Sequence, residues 1–156
     1  MARTDTTGTF VPPPNGWTVI KRRSTGDAVI DLGNENEMEN GLGAPNGRFW
    51  LGAKYVHYLT SLPNHLERVA LRIMYESGGK TLGYYLPEFQ LKSNGKEYTF
   101  DDKGGAEKWL RFQSNGEWTS ISDVNQAPSF SKLLTLQGEN ESFGSVLYEI
   151  ARFNKD

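Results

Sequence analysis

Gly16-Trp17-Thr18-Val19-Ile20-Lys21-Arg22-Arg23 is the stretch on which the reading of this chain turns. Trp17 to Ile20 are aromatic or β-branched, side chains that fit a pleated, half-buried surface, so the segment reads as a strand. Lys21-Arg22-Arg23 is the only basic triplet in the chain and reads as a solvated strand edge. Upstream, residues 1–16 are polar, lack periodicity and end in Pro12-Pro13-Pro14-Asn15-Gly16. They read as a flexible arm or linker, leaving residues 17–156 as the globular domain. Downstream, Ser24-Thr25-Gly26-Asp27 is a turn and Ala28-Val29-Ile30-Asp31-Leu32 a second short strand, which predicts a hairpin with the first.

Further along, Asn34 to Asn40 reads as a short helix capped by Asn34 and stopped by Gly41. Ala53 to Ser61 has helical character, with Tyr55, Val56 and Leu59 able to share a face, and Pro63 ends it. From Leu66 to Tyr75 the pattern alternates, with Val69, Leu71, Ile73 and Tyr75 on one side, as in a strand with one buried face. Ser77-Gly78-Gly79-Lys80 and the Asn94-Gly95 pair mark hairpin turns, so the middle of the chain reads as an antiparallel meander. Residues 107–113 are open between strand and helix. Leu133 to Leu136 and Ser145 to Ala151 read as the last strands.

Composition bounds the function. At 156 residues the chain suits one domain, and its 12% aromatic content supplies the large side chains that disordered chains lack. A net charge of −2 with no long basic run argues against nucleic acid, whose binders neutralise phosphates with a basic face. With no cysteine there is no disulfide framework and no thiolate metal site. The opening residues show no apolar signal-peptide core, and no apolar run reaches the roughly 20 residues of a membrane span.

The order and spacing of several motifs carry a resemblance. Gly16 to Arg23 resembles the "GWTVIQRR" strand that opens fibrinogen-related domains. Gly41-Leu42-Gly43 stands where that family has Gly-Phe-Gly, Asn46 to Gly52 resembles "xGEFWLG", and Val56 to Ser61 resembles "IHxLTS". Gly47 and Gly52 bracket the aromatic pair Phe49-Trp50, which reads as a buried anchor between sharp turns. His57 and Tyr58 read as packing residues with satisfied polar tips.

The resemblance implies an α+β fold, a mainly antiparallel sheet with two short helices, and a binding function without catalysis. It also exposes departures. Glu35, Met38 and Leu42 stand where the family has large aromatics, and the family's disulfides cannot form. The C-terminal subdomain, with its Asp-rich calcium loop and Trp-Trp-Tyr segment, has no counterpart after Phe100. The reading is a fibrinogen-like scaffold lacking the calcium-binding subdomain, and the family's binding residues cannot be carried over.

Catalytic motifs are missing: His57 and His65 have no carboxylate at a helpful spacing, and no P-loop or nucleophile elbow occurs. No cofactor is expected. Asp101 and Asp102, with the acidic Glu35 to Glu39 segment, are weak metal candidates without the alternating spacing of a calcium loop. The candidate recognition residues are Trp109, Arg111, Phe112 and Trp118, because Trp and Arg dominate binding hot spots and the segment is turn-rich. The expected function is recognition or adhesion toward a surface glycan or protein. The alternative is a structural head that trimerises or caps a viral or phage fibre. The cysteine-free composition suits a protein folded in a reducing compartment that acts outside the cell or on a particle.

Overall fold

The computed structural model describes residues 16–105, 108–113, 116–121, 123–140 and 142–155, together with two short strands, β1 (Arg3–Thr4) and β2 (Phe10–Val11), which pair antiparallel. The expected N-terminal arm otherwise lies outside the described residues, apart from Gly16.

The remaining elements are β3 (Thr18–Arg23), α1 (Glu35–Asn40), β4 (Phe49–Trp50), α2 (Ala53–Ser61), β5 (Glu67–Ser77), β6 (Lys80–Leu86), β7 (Gln90–Ser93), β8 (Tyr98–Asp101), β9 (Leu110–Phe112), β10 (Trp118–Ser120), β11 (Phe130–Lys132), β12 (Thr135–Leu136) and β13 (Val146–Asn154). Seven strands form one antiparallel sheet in the order β10-β9-β6-β5-β13-β3-β4, while β7-β8 and β11-β12 are separate pairs. The architecture is the expected mainly antiparallel sheet with two short helices. The glycine pair at Gly78-Gly79 turns β5 into β6, in register from Ser77↔Lys80 to Leu71↔Leu86. The sheet's middle strand is β5, and its neighbour β13 pairs with β5 over its full length and with β3 on its other side.

The expected hairpin between residues 17–23 and 28–32 does not form. β3 pairs with β13 and β4, and residues 28–32 are irregular. Ile30 and Leu32 are nonetheless buried. The Arg48 guanidinium donates to the carbonyls of Ala28 (2.8 Å) and Val29 (3.0 Å), satisfying acceptors that a strand partner would otherwise take.

The basic triplet is not a solvated edge either. Lys21 and Arg23 are each 1% exposed. Lys21 donates to the Leu134 carbonyl (2.8 Å) and the Thr135 hydroxyl (3.2 Å). Arg23 pairs with the equally buried Glu139 at 3.1 Å and donates to the carbonyls of Asp27 and Asn140. The chain from Leu134 to Asn140 therefore covers β3 and supplies all but one of these acceptors, which make two buried cations tolerable.

The glycine motifs mark where two loops meet. Gly52 has φ +110°, and a Cβ there would lie 2.8 Å from the Asn40 carbonyl carbon and the Glu39 oxygen. Gly43, at φ +72°, packs against the Arg48 carbonyl. Gly47 needs neither a positive φ nor close approach, so only Gly52 of the two expected brackets is obligatory. Between them Trp50 is fully buried and donates its indole N–H to Met38 O at 2.7 Å, tying β4 to α1.

Helix α1 is capped as expected, with Asn34 Oδ1 accepting from Glu37 N and Gly41 N donating to Glu37 O. In α2, Val56 is buried and Leu59 half-buried, but Tyr55 (46%) and Tyr58 (60%) face solvent. His57 does have a satisfied tip, with Nδ1 2.7 Å from Leu91 O.

Strand parity divides the apolar side chains between two faces of the large sheet. Leu71, Ile73, Leu86, Val146, Tyr148 and Ile150 join the main core with Trp50, Val56, Phe89, Leu91 and Leu134. Ala70, Tyr85, Ala151 and Phe153 form a smaller cluster on the other face.

Candidate recognition surfaces

Residues 110–112 are extended, and their pairing decides what the four candidate recognition residues do. Arg111 is in register with Tyr84, whereas Leu110 and Phe112 are in register with Tyr85 and Gly83, and Trp118 with Phe112. Alternation therefore places Arg111 toward the main core and Phe112 and Trp118 on the opposite face. Trp109, just before β9, is 2% exposed and packs against Tyr84, Phe100 and Phe130. It is a core residue, which corrects the expectation of a surface role. Arg111 is half-buried, and its charge opposes the burial that raises the pKa of the Tyr75 hydroxyl.

Phe112 and Trp118 belong to an aromatic platform. Their rings lie 5.1 Å apart. Trp118 meets Tyr85 edge-on at 6.2 Å, Tyr85 meets Trp17 at 6.4 Å, and Trp17 meets Phe153 at 5.8 Å. Trp17, Phe112 and Trp118 are half-buried over the buried Tyr85 and Phe153. Two arginines lie on this platform. The Arg72 guanidinium sits 4.2 Å over the Trp17 ring and bonds Glu149 at 2.8 Å, and Arg68 sits 4.8 Å over Phe153. Arg68 and Arg72 occupy the strand positions opposite Val69, Leu71 and Ile73, so the alternation in β5 already signalled a second, cationic face.

A different surface escaped the sequence reading altogether. A groove of about 650 Å³ opens beside α1 and β8. Its floor is Leu32, Met38, Phe100, Phe130 and Leu133, and its rim carries Glu35, Glu39, Glu97 and Lys96. These residues come from three separated segments, which no local pattern connects. Burial, and then the charge of Glu39, raises the pKa of the Tyr98 hydroxyl, which donates to Glu39 Oε1 at 3.3 Å.

Asp101 is committed to the protein itself. Its carboxylate accepts from Lys103 N and pairs with Lys92 at 3.0 Å and Lys103 at 3.5 Å, which holds its pKa below the usual value. Asp102 accepts from Gly105 N. Among the described residues, no three His, Asp or Glu side chains converge as metal ligands. No helix among them is long and apolar enough to cross a membrane.

The same scaffold occurs in known proteins. The structure is similar to the fibrinogen-like globe domain of human ANGPTL2, with TM-score 0.55 at 17% identity, covering 88% of this chain and 80% of that one. It is also similar to lamprey fibrin D-dimer, solved with the peptide Gly-His-Arg-Pro-amide, with TM-score 0.52 at 16% identity over 91% and 63% of the two chains. In sequence, 83 residues are 34% identical to angiopoietin-related protein 6 of Mus musculus, spanning 53% of this chain and 17% of that protein. Fibrinogen-like protein 1 of Homo sapiens is 39% identical over 59 residues, 36% of this chain and 19% of that protein. The match thus covers less than a fifth of either curated relative. The family model for the C-terminal globular domain of fibrinogen beta and gamma chains matches residues 11–126, and with that match, well over half of its length, the chain belongs to the fibrinogen C-terminal domain family.

Proposed function

We propose that this chain is a non-enzymatic recognition module that binds a protein or glycan surface through the platform around Trp118, acting outside the cell or on a particle. The observation that carries the reading is the half-exposed Phe112–Trp118 pair at the edge of a seven-stranded sheet, braced by Tyr85. Rigid aromatics give large contact area for little lost side-chain freedom, and arginines beside them add directional donors. Such rings stack equally on sugar faces and on apolar side chains. The lamprey relative's peptide complex supports a protein ligand for this fold.

Glycan-array and cell-surface binding of the wild type and Trp118→Ala test the proposal. Trp118→Ala is expected to weaken binding by about 1–3 kcal/mol, the hot-spot scale. Uniformly negative panels, or Trp118→Ala melting as early as Trp50→Ala, count against it. Size-exclusion chromatography with light scattering separates this reading from a trimerising fibre head, which a monomer at micromolar concentration disfavours.

A further inference from the structure

The groove beside α1 combines an apolar floor with an acidic rim. Its floor is five apolar side chains, and Met38, Phe100, Phe130 and Leu133 there are only half-buried. Its rim sets three carboxylates against one ammonium, and Glu35, Glu39, Glu97 and Lys96 are all exposed. Among the described residues none of the three carboxylates is in an ion pair.

Local structure engages two of these carboxylates, Glu35 through the helix dipole and Glu39 through the Tyr98 hydroxyl, and among the described residues leaves Glu97 without a partner for its charge. Glu35 lies in the first turn of α1, where a carboxylate faces the positive end of the helix dipole. Glu39 lies at the other end of the six-residue helix, which has no basic residue in its last turn, so its charge opposes the dipole. Glu97 belongs to the turn before β8, where its backbone, not its carboxylate, makes the turn bonds to Asn94. A volume of about 650 Å³ falls inside the range of roughly 300–1,000 Å³ that ligand sites occupy.

We infer that this groove is a binding site for a basic peptide segment, one that seats an aliphatic or aromatic side chain on the Leu32–Met38–Phe100–Phe130–Leu133 floor and presents arginine or lysine to Glu35, Glu39 and Glu97. Charge complementarity selects the partner. An acidic segment would bring like charges to the rim, and an uncharged one would leave three carboxylates losing water without compensation. Arginine suits the rim best, because its planar fork bonds a carboxylate at two points. The floor belongs to the main core and the Trp118 platform to the opposite face of the large sheet, so the site is independent of the function proposed above.

The test uses the peptide Gly-Arg-Leu-Phe-Arg-Gly-amide with fluorescein on its N-terminal amine, and its counterpart with glutamate in place of both arginines. Anisotropy titrations are run on the whole chain, and amide chemical shifts locate the complex. The basic peptide is expected to bind saturably, with shifts at residues 32–39, 96–100 and 130–133. The acidic peptide is expected not to bind. The exposed triple substitution Glu35→Gln, Glu39→Gln, Glu97→Gln keeps the groove's shape and is expected to weaken the basic peptide about tenfold, as the loss of two solvent-exposed charge pairs of about 0.7 kcal/mol each would. The charge-reversed pair Glu39→Lys, Glu97→Lys is expected to switch preference to the acidic peptide. Equal binding of the two peptides, no saturation up to about 1 mM, or shifts lying elsewhere on the molecule overturns the inference.

Discussion

Replacing Lys21 with methionine removes a buried charge while keeping most of the side chain's length, and its effect depends on pH in a direction the structure dictates. Burial among Leu134, Thr135 and the Tyr148 ring pushes the Lys21 pKa down from 10.5 to about 8, with Glu139 opposing and Arg23 adding to the fall. The charged form is thus the disfavoured one in the folded protein. Between about pH 8 and pH 10.5 the unfolded chain holds a proton that the folded chain has released, so stability rises with pH across that window. Below about pH 8 both states are protonated and the whole net cost of holding the charge at this site, about 3 kcal/mol, is present.

Integrated from about pH 7 to about pH 9.5, the linkage amounts to about 2 kcal/mol. Urea unfolding at half-unit steps over that range should show wild type gaining this amount relative to Lys21→Met. The lost bond to the Leu134 carbonyl shifts the variant's curve vertically without changing its slope. Tyr75, Tyr85 and Tyr148 do not interfere, because burial raises their pKa values, so their linkage sets in only as the unfolded tyrosines titrate near about pH 10, and it is common to both proteins. Parallel curves for the two proteins, or wild type losing ground as pH rises, would refute the buried-ammonium account.

Further substitutions separate packing, charge and backbone effects. Trp50→Ala empties a fully buried site and orphans Met38 O, and should cost about 3–5 kcal/mol, read as an early thermal melt. Arg23→Leu leaves the Glu139 carboxylate buried without its partner and should cost about 3–5 kcal/mol, whereas adding Glu139→Leu should recover part of the loss in urea unfolding. Gly52→Ala forces a side chain into a positive-φ position against the Asn40 backbone and should cost about 1–3 kcal/mol, while Gly47→Ala leaves the urea midpoint nearly unchanged.

Much of the scaffold was legible in residues whose roles are local. Asn34 and Gly41 announce α1, the alternation in β5 announces a two-faced strand, and Gly78-Gly79 its hairpin. What failed depends on partners distant in sequence. Residues 28–32 have strand-like composition, but Arg48 takes the carbonyls that a strand would offer. Lys21 and Arg23 look like an edge until the segment from Leu134 to Asn140 lies over them. Trp109 and Trp118 have the same chemistry, and only the position of the β9–β6 register tells the core residue from the platform residue. The groove was invisible because its floor is drawn from segments about thirty residues or more apart.

The position of β13 bears on how the chain is made. Its partners β3 and β5 end at Arg23 and Ser77, and neither has a complete set of neighbours until Val146 to Asn154 arrives. During synthesis, at about 5–20 residues per second, those two strands wait several seconds with an open edge each. Pairing across such separations is slow because the loop must close before any contact repays it. Nascent chains of this protein are therefore most vulnerable to edge-to-edge association just before the strand that joins the two halves of the sheet leaves the ribosome.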